Sequence, residues 1–187
     1  MILYTIQSEF KWQELQDTGI LKAHEDIICF SNNNFIDSYT WIESKMHELL
    51  PKSDIPCKHP IWAWYRYNNK SKPTLRGQIT KGEIGYLIKF EIDDDKVLLS
   101  CFDKWHLVLN HSIEDLKNNK TIFALDEFNE DDIANMIGEG FEIEDDNIVF
   151  DWNNIILNKN SFENTIQATL WYIKKEQVIS YKKFKSR

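Results

Sequence analysis

The chain has 187 residues, of which 42% are hydrophobic and 28% are charged, so it is long enough to bury one sizeable core. Its formal net charge of −8 argues against binding of nucleic acid or acidic membrane by bulk attraction. Six glycines and four prolines are too few for a disordered or low-complexity chain, and we expect a single globular domain over residues 1–187.

The first fifty residues predict two strands and two helices. Residues 2–6 predict a strand, and Ser8 is a suitable N-cap for a helix that ends at Gly19. A second strand is expected at residues 26–30, before an asparagine-rich turn. An amphipathic helix closed by Pro51 is then predicted by apolar side chains spaced three and four residues apart, namely Phe35, Tyr39, Ile42, Met46 and Leu49.

The segment from residue 61 to residue 67 predicts an aromatic strand. Alternate side chains of a strand point to opposite faces, so one face carries Ile61, Ala63 and Tyr65. The other face carries Trp62, Trp64 and Arg66. An exposed wall of indole rings beside a guanidinium suits a flat ligand such as a nucleobase, whereas a buried wall belongs to the core. A basic, polar loop follows over residues 68–82, and residues 86–91 alternate as another strand.

The block from residue 93 to residue 110 combines a turn, a short strand and a helix. Ser100 is placed to cap a helix whose expected buried stripe is Cys101, Trp105, Val108 and Leu109. On an adjoining helix face, Asp103, His106 and Asn110 follow one another at intervals of three and four residues. A hydrogen bond from His106 to Asp103 would fix the imidazole tautomer and make His106 a candidate general base. The alternative is a surface pair with no catalytic role.

The C-terminal third predicts a helix at 130–137, a strand at 147–152 and a longer helix at 161–175. Gln167 and Trp171 flank the expected buried stripe of that last helix, which consists of Phe162, Ile166, Leu170 and Ile173. Residues 178–181 predict an edge strand, and a short basic tail is expected from about residue 182. These elements favour an α+β domain with a mixed or antiparallel sheet flanked by amphipathic helices.

Several site classes find no support in the sequence. Three widely spaced cysteines and five histidines show neither a disulfide framework nor a zinc spacing, and no phosphate-binding glycine motif is present, so we predict no metal site and assign no cofactor. Eleven acidic residues and no lysine or arginine lie between Asp126 and Asp151, most simply a solvated face. Without a membrane-length apolar run or a basic leader, the chain is expected to be cytoplasmic, with no membrane partner.

Several segments together resemble a bacterial family known as domain of unknown function 3841. They are the opening Tyr4-Thr5-Ile6-Gln7 with Gly19, the aromatic strand 60–65, the block 97–106, and Ile166-Gln167-Ala168 with Trp171. The resemblance covers nearly the whole chain, and the aromatic strand and the Ser100–Asn110 block are its most specific parts. It supports the domain boundary and says little about chemistry. Ser100, Gln167 and Trp171 are further candidate ligand-binding residues.

The opening strand, helix and Gly-x-Leu exit are also similar to ADP-ribosyltransferase-like domains. That similarity implies a nicotinamide-ribose contact near Thr5 or Gln7 and ring stacking on Trp64 or Tyr65. The first strand carries no histidine or arginine at the position where such domains have one, and no late catalytic glutamate is assigned.

Two hypotheses therefore remain open. In the first, the chain binds or modifies a nucleotide or nucleic acid in a cleft containing Trp64, Arg66 and His106, with Asp103, Tyr4 and Gln7 nearby. In the second, it is a non-catalytic protein-interaction module whose aromatic residues form the core. The two differ in whether Trp62 and Trp64 line a pocket with His106 or pack against aliphatic side chains.

Overall fold

The computed structural model describes residues 1–23, 35–111 and 117–187, and every strand pairing in it is antiparallel. The α+β fold with an antiparallel sheet is therefore confirmed. None of the described helices is both long and apolar enough to cross a membrane. The helices are α1 (Glu9–Thr18), α2 (Ile36–Leu49), α3 (Phe102–Leu109) and α4 (Glu130–Gly138). The strands are β1 (Ile2–Ser8), β2 (Ile20–Lys22), β3 (Ile61–Arg66), β4 (Ile84–Glu91), β5 (Leu98–Cys101), β6 (Lys120–Ala124), β7 (Glu142–Glu144), β8 (Asn147–Asp151), β9 (Ile156–Leu157), β10 (Ile166–Leu170), β11 (Tyr172–Lys174) and β12 (Val178–Lys185).

The central feature is a seven-stranded sheet with the strand order β12-β4-β1-β3-β10-β5-β9. A two-stranded sheet joins β11 to β2, and a three-stranded sheet has the order β6-β8-β7. The aromatic strand β3 lies in the middle of the large sheet, between β1 and β10. Its side chains therefore meet neighbours from both adjoining strands.

The large sheet has a hydrophobic cluster on each face, and alternation along β3 separates them. Ile61 and Ala63 join the cluster that contains Trp12 of α1, and we call this side the α1 face. Trp62 packs against the other cluster, which contains Trp105 of α3, and we call that side the α3 face. The predicted division of the aromatic strand into two faces is thus confirmed.

The helices before residue 140 follow their local signals. Ser8 caps α1 by accepting a hydrogen bond from the Lys11 amide at 3.3 Å, and Gly19 ends the helix with a φ of +78°. That left-handed conformation favours glycine. Helix α2 buries Ile42 and Met46 as expected. The predicted strand at residues 26–30 lies outside the described residues.

The predicted helix at 161–175 is wrong, because that segment forms β10 and β11. Strand β10 is buried along its whole length, so it lacks exposed polar residues at alternate positions. Its apolar residues therefore fit the spacing of a buried helix face, although in the sheet they alternate between the two faces. Ile166 and Leu170 face the α1 cluster, whereas Phe162, expected in the same stripe, is 96% exposed. Tertiary burial therefore overrides the apparent helical period.

Two smaller boundaries also differ from the sequence analysis. Ser100 is not a helix cap: it is buried in β5, and Cys101 occupies the N-cap position of α3 without a capping side-chain bond. The basic residues at 182–185 belong to β12, which pairs with β4 along most of its length. The expected edge strand at 178–181 is therefore present and longer than predicted.

Candidate functional site

One row of directly opposed residues crosses six strands on the α3 face. Paired residues of neighbouring strands point to the same side of a sheet and lie about 4.8 Å apart in the pairing direction. We call this set the cross-strand row; in order from β5 to β12 it consists of Ser100, Gln167, Trp64, Tyr4, Lys89 and Ser180. Four of these residues, on β5, β10, β3 and β1, were candidate ligand-binding residues in the sequence.

Helix α3 holds the indoles of β3 in an aromatic cluster. The ring centroids of Trp62 and Trp105 lie 5.3 Å apart, and those of Trp64 and Phe102 lie 5.1 Å apart at 62°. Trp64 also meets the edge of Tyr67, with 4.9 Å between centroids. Because α3 begins immediately after β5, its first turn necessarily lies beside the end of the row. Trp64, Phe102 and Tyr67 are all only partly buried, so the cluster has an accessible side.

Three buried polar atoms in this region lack a hydrogen-bond partner among the described residues. They are the Trp62 indole Nε1, the Ser100 hydroxyl and the Gln167 amide Nε2. Ser100 is fully buried and Gln167 is 5% exposed, so bulk solvent does not reach these two side chains. An unsatisfied buried polar group costs roughly 1–3 kcal/mol, and native proteins contain few of them. Three unsatisfied polar atoms on adjoining strands therefore lower the stability of the protein in this region.

All three orphaned atoms can donate a hydrogen bond. The indole and amide nitrogens only donate, and the hydroxyl can donate or accept. Ser100 and Gln167 are direct cross-strand partners, and Trp62 lies two residues before Trp64 on the same face of β3. These three atoms could therefore donate hydrogen bonds to an acceptor atom, such as an oxygen of a bound molecule.

Arg66 has a structural role, and its guanidinium is not free to bind a ligand phosphate or carboxylate. Its guanidinium donates to the carbonyl oxygens of Ser161 and Glu163, each at 2.9 Å. Those carbonyls belong to the connection between β9 and β10. With two backbone acceptors fixing its position, the side chain anchors that connection against β3.

The expected bond between Asp103 and His106 does not form. His106 Nδ1 lies 3.0 Å from the Phe102 carbonyl oxygen, one turn back along α3, and its ring meets the edge of the Phe102 ring at 4.9 Å. Asn110 Nδ2 donates to the His106 carbonyl at 2.8 Å and thus closes the end of the helix. Asp103 and His106 are both exposed. A backbone carbonyl, not a carboxylate, therefore orients this imidazole.

Gln7 lies on the α1 face, away from the row. Its Nε2 donates to the Thr5 hydroxyl at 2.7 Å, and that hydroxyl donates to the Trp62 carbonyl at 2.9 Å. Tyr4 has the opposite orientation because it is an odd number of positions away on the same strand. The structure therefore brings Tyr4 to Trp64 and separates Gln7 from it.

Trp171 also lies apart from the row and lines a cavity of about 810 Å³. Charged groups around this cavity are largely paired with one another. Asp54 accepts a short hydrogen bond from the Tyr172 hydroxyl and lies 3.7 Å from the Lys174 ammonium. Burial and Asp54 raise the pKa of Tyr172 to about 12. Because the polar groups of this cavity are largely satisfied, the cavity is a weaker candidate for a ligand site than the cross-strand row with its orphaned donors.

Two lysines near the row lack ion pairs with any described residue. Lys89 is part of the row, and Lys182 lies opposite Leu87, two residues earlier than Lys89 on β4. Both therefore face the same side of the sheet as Trp64 and Tyr4. By contrast, Lys183 points to the α1 face, where it pairs with Glu9 at 2.7 Å. Neither lysine was a candidate from the sequence alone, although the alternation of strands β4 and β12 could have indicated the side of the sheet to which each points.

The described ranges contain no group of three or more histidine, cysteine, aspartate or glutamate side chains arranged to hold a metal ion. Among the described residues, Cys57 and Cys101 are free thiols. Burial raises the pKa of both. Neither thiol is therefore activated as a nucleophile.

Residues 2–179 match the model of the family described as Domain of unknown function (DUF3841). The match spans every residue of the cross-strand row except Ser180. Neither the comparison with curated proteins nor that with solved structures found a significant match.

Proposed function

The chain belongs to the DUF3841 family, and for this member we propose that the α3 face binds a nucleotide through the cross-strand row. A free nucleotide and a nucleotide unit of a nucleic acid strand present the same ring and phosphate, so the row accommodates either. The orphaned donors on β3, β5 and β10 are the observation that carries the proposal. Their cost is offset when a ligand supplies the missing acceptor.

The chemistry along the row matches the parts of a nucleotide in order. Orphaned donors lie at one end, at Ser100 and Gln167. Aromatic rings follow at Trp64 and Tyr4, where a planar base can stack. An unpaired ammonium comes next at Lys89, where a phosphate can bind. This arrangement supports nucleotide binding although the net charge is negative, because charge is distributed unevenly over the surface.

The proposal concerns binding. His106 is exposed and its Nδ1 lies 3.0 Å from the Phe102 carbonyl oxygen, so Asp103 does not orient the imidazole toward a substrate. An ADP-ribosyltransferase-like reaction would require NAD to occupy the same row, and NAD is therefore included in the test below.

Isothermal titration of the protein with AMP, IMP, UMP, NAD and a short RNA tests the proposal. We expect saturable binding by at least one mononucleotide, and loss of that binding in Trp64→Ala. A ligand at a hundredfold over its Kd adds about 2.7 kcal/mol of stability, which for a chain of this size corresponds to a rise of roughly 5–10 °C in Tm. Absence of heat and of any thermal shift with the whole set would overturn the proposal.

Tyr181→Ala is the matched control for Trp64→Ala. Tyr181 is 59% exposed and lies on the α1 face, with its ring centroid 4.3 Å from that of Trp12. Its removal also deletes a partly packed aromatic ring, but on the opposite side of the sheet. Nucleotide binding should survive in this variant, and equal loss in both variants would indicate a general effect on folding.

A second candidate function is docking of a basic protein partner on the acidic part of the chain. Ile137 of α4 and Ile143 of β7 are 48% and 51% exposed, and most charged residues near them in sequence are acidic. Exposed apolar side chains with carboxylates on either side in the sequence suit a cationic, amphipathic segment. Titration with a lysine-rich amphipathic peptide tests this function: salt-sensitive binding that Ile143→Asp abolishes would support it, and indifference to the substitution would exclude this surface.

A further inference from the structure

We infer that the cross-strand row orients the nucleotide and selects a base that carries a ring carbonyl; this inference rests on the proposed function. The carbonyl oxygen accepts from the side chains of Gln167 and Ser100. The phosphate lies at the opposite end, between Lys89 and Lys182. Hypoxanthine, guanine and uracil have such a carbonyl, and adenine has an amino group instead.

The direction of the ligand follows from where the two chemistries lie. The donor end of the row is buried, because Ser100 is fully buried and Gln167 is 5% exposed. The cationic end is open, because Lys182 is exposed and Lys89 is only partly buried. A phosphate loses far more solvation on burial than a neutral carbonyl does, so the phosphate belongs at the open end.

The donor end favours a neutral acceptor for a second reason. On α3, the Lys104 ammonium is already paired with Glu163 at 3.1 Å. The Arg66 guanidinium is held by two backbone carbonyls. A buried anion would thus find donors while the cations of Lys104 and Arg66 are already engaged, whereas a ring carbonyl needs donors alone.

Access to the donors requires the Trp64 side chain to move. Gln167 and Trp64 are direct cross-strand partners, so their Cβ atoms lie about 4.5–5.5 Å apart. The indole of Trp64 is partly buried and touches the edges of Tyr67 and Phe102 without stacking face to face on either. A base that stacks on a displaced indole brings its edge to the Gln167 amide.

Comparison of IMP with AMP tests the inference. IMP has a carbonyl at position 6 of the purine and a hydrogen on N1, whereas AMP has an amino group at position 6 and an acceptor nitrogen at N1. We expect IMP to bind at least tenfold more tightly, because a donor site rejects a ligand that lacks its acceptor. Gln167→Met keeps the length of the side chain and removes the amide. In that variant IMP should lose about tenfold in affinity while AMP changes little, so the preference disappears.

A separate set of variants tests the lysine end of the row. Lys182→Glu should weaken IMP and AMP by the same factor, and inosine, which has no phosphate, should be insensitive to it. Thr40→Glu in α2 is the matched control, because it adds a negative charge to an exposed position outside the large sheet. Affinities for ligands of increasing length, from UMP to oligouridylates, distinguish a free nucleotide from a strand as the ligand. Affinity that rises with ligand length and falls steeply with salt identifies a strand.

The outcomes separate the inference from the proposed function. Equal binding of IMP and AMP in the wild-type protein overturns base selection and leaves nucleotide binding intact. A preference for IMP that persists in Gln167→Met overturns the assignment of the donor. No binding by either nucleotide, with or without phosphate, overturns the proposed function itself.

Discussion

Gln167 and Ser100 lie directly opposite one another on β10 and β5, and in the part of the chain that the structure describes neither the Gln167 Nε2 nor the Ser100 hydroxyl has a hydrogen-bond partner. Side chains in this relationship normally bond to each other or to the backbone. Thr169, the next residue but one on β10, does so: its hydroxyl donates to the Leu98 carbonyl at 3.2 Å. Strand β10 therefore has one satisfied and one unsatisfied polar side chain on the same face.

This contrast predicts an unusual stability result. Ser100→Ala should leave the free energy of unfolding unchanged or raise it, because replacing an unsatisfied buried hydroxyl by a methyl group removes a desolvation cost. Thr169→Val should lower the free energy of unfolding by about 0.5–1.5 kcal/mol, because it deletes a formed hydrogen bond and leaves the Leu98 carbonyl short of one.

Urea denaturation of the two variants without ligand measures both values. Thr169→Val is the control for any general effect of altering a polar residue in the centre of the sheet. A loss above 1 kcal/mol in Ser100→Ala would mean that its hydroxyl has a partner after all, and the case for an unoccupied donor would fail.

A second prediction separates Trp105 from its neighbour His106 on α3. Trp105 is 4% exposed and packs against Trp62, so Trp105→Ala should cost about 3–5 kcal/mol as a core truncation. His106 is exposed, so His106→Ala should change stability by no more than about 0.5 kcal/mol.

Chemical denaturation of the two variants under identical conditions checks this pair. Retained stability in His106→Ala would also make that variant suitable for nucleotide titration, where lost binding would show that the imidazole contacts the ligand. A large loss of stability would instead place His106 among the structural residues.

The sequence predicted those features of the site that depend on residues close together along the chain. Alternation along β3 correctly put Trp62 and Trp64 on one face, since strand geometry is local. The pairing of Gln167 with Ser100 could not be read from the sequence, because it depends on strand order and register in a sheet whose neighbours are distant along the chain. For the same reason β10 was mistaken for a helix: a strand buried on both faces lacks the polar alternation that marks a half-exposed strand.

Gly85 supplies a third prediction, about the loop that follows β3. A Cβ atom added at Gly85 would lie 2.6 Å from Ile79 Cδ1 and 2.7 Å from the ring of Phe184. Ile79 belongs to the basic loop, and Phe184 belongs to β12, so both neighbours would have to shift. Gly85→Ala should therefore cost about 1–3 kcal/mol through overpacking.

Gly138→Ala is the matched control. It lies at the end of α4, and a Cβ atom there would meet nothing within 4 Å. Alanine has the better helix propensity, so this variant should be unchanged or stabilised by up to about 1 kcal/mol. Thermal melting of both variants gives the comparison, and equal effects of the two substitutions would show that the close approach at Gly85 relaxes freely.

The fourth prediction concerns alkaline pH and the bond between Tyr172 and Asp54. Burial, followed by the hydrogen bond to Asp54, raises the pKa of Tyr172 from 10.0 to about 12. Between those two values the unfolded chain releases the phenolic proton while the folded chain retains it. The unfolded state then binds fewer protons, so stability falls as pH rises through this interval.

Tyr172→Phe removes this titration and leaves every lysine in place. Urea midpoints measured from pH 9 to pH 11 should therefore decline more steeply in the wild-type protein than in the variant, in which only the background titration remains. At acid pH the same bond, the largest cause of the lowered pKa of Asp54, contributes stability that is lost as pH falls through the folded-state pKa. Parallel wild-type and variant curves at alkaline pH would show that Tyr172 does not retain its proton, and the bond to Asp54 would then contribute no pH-dependent stability.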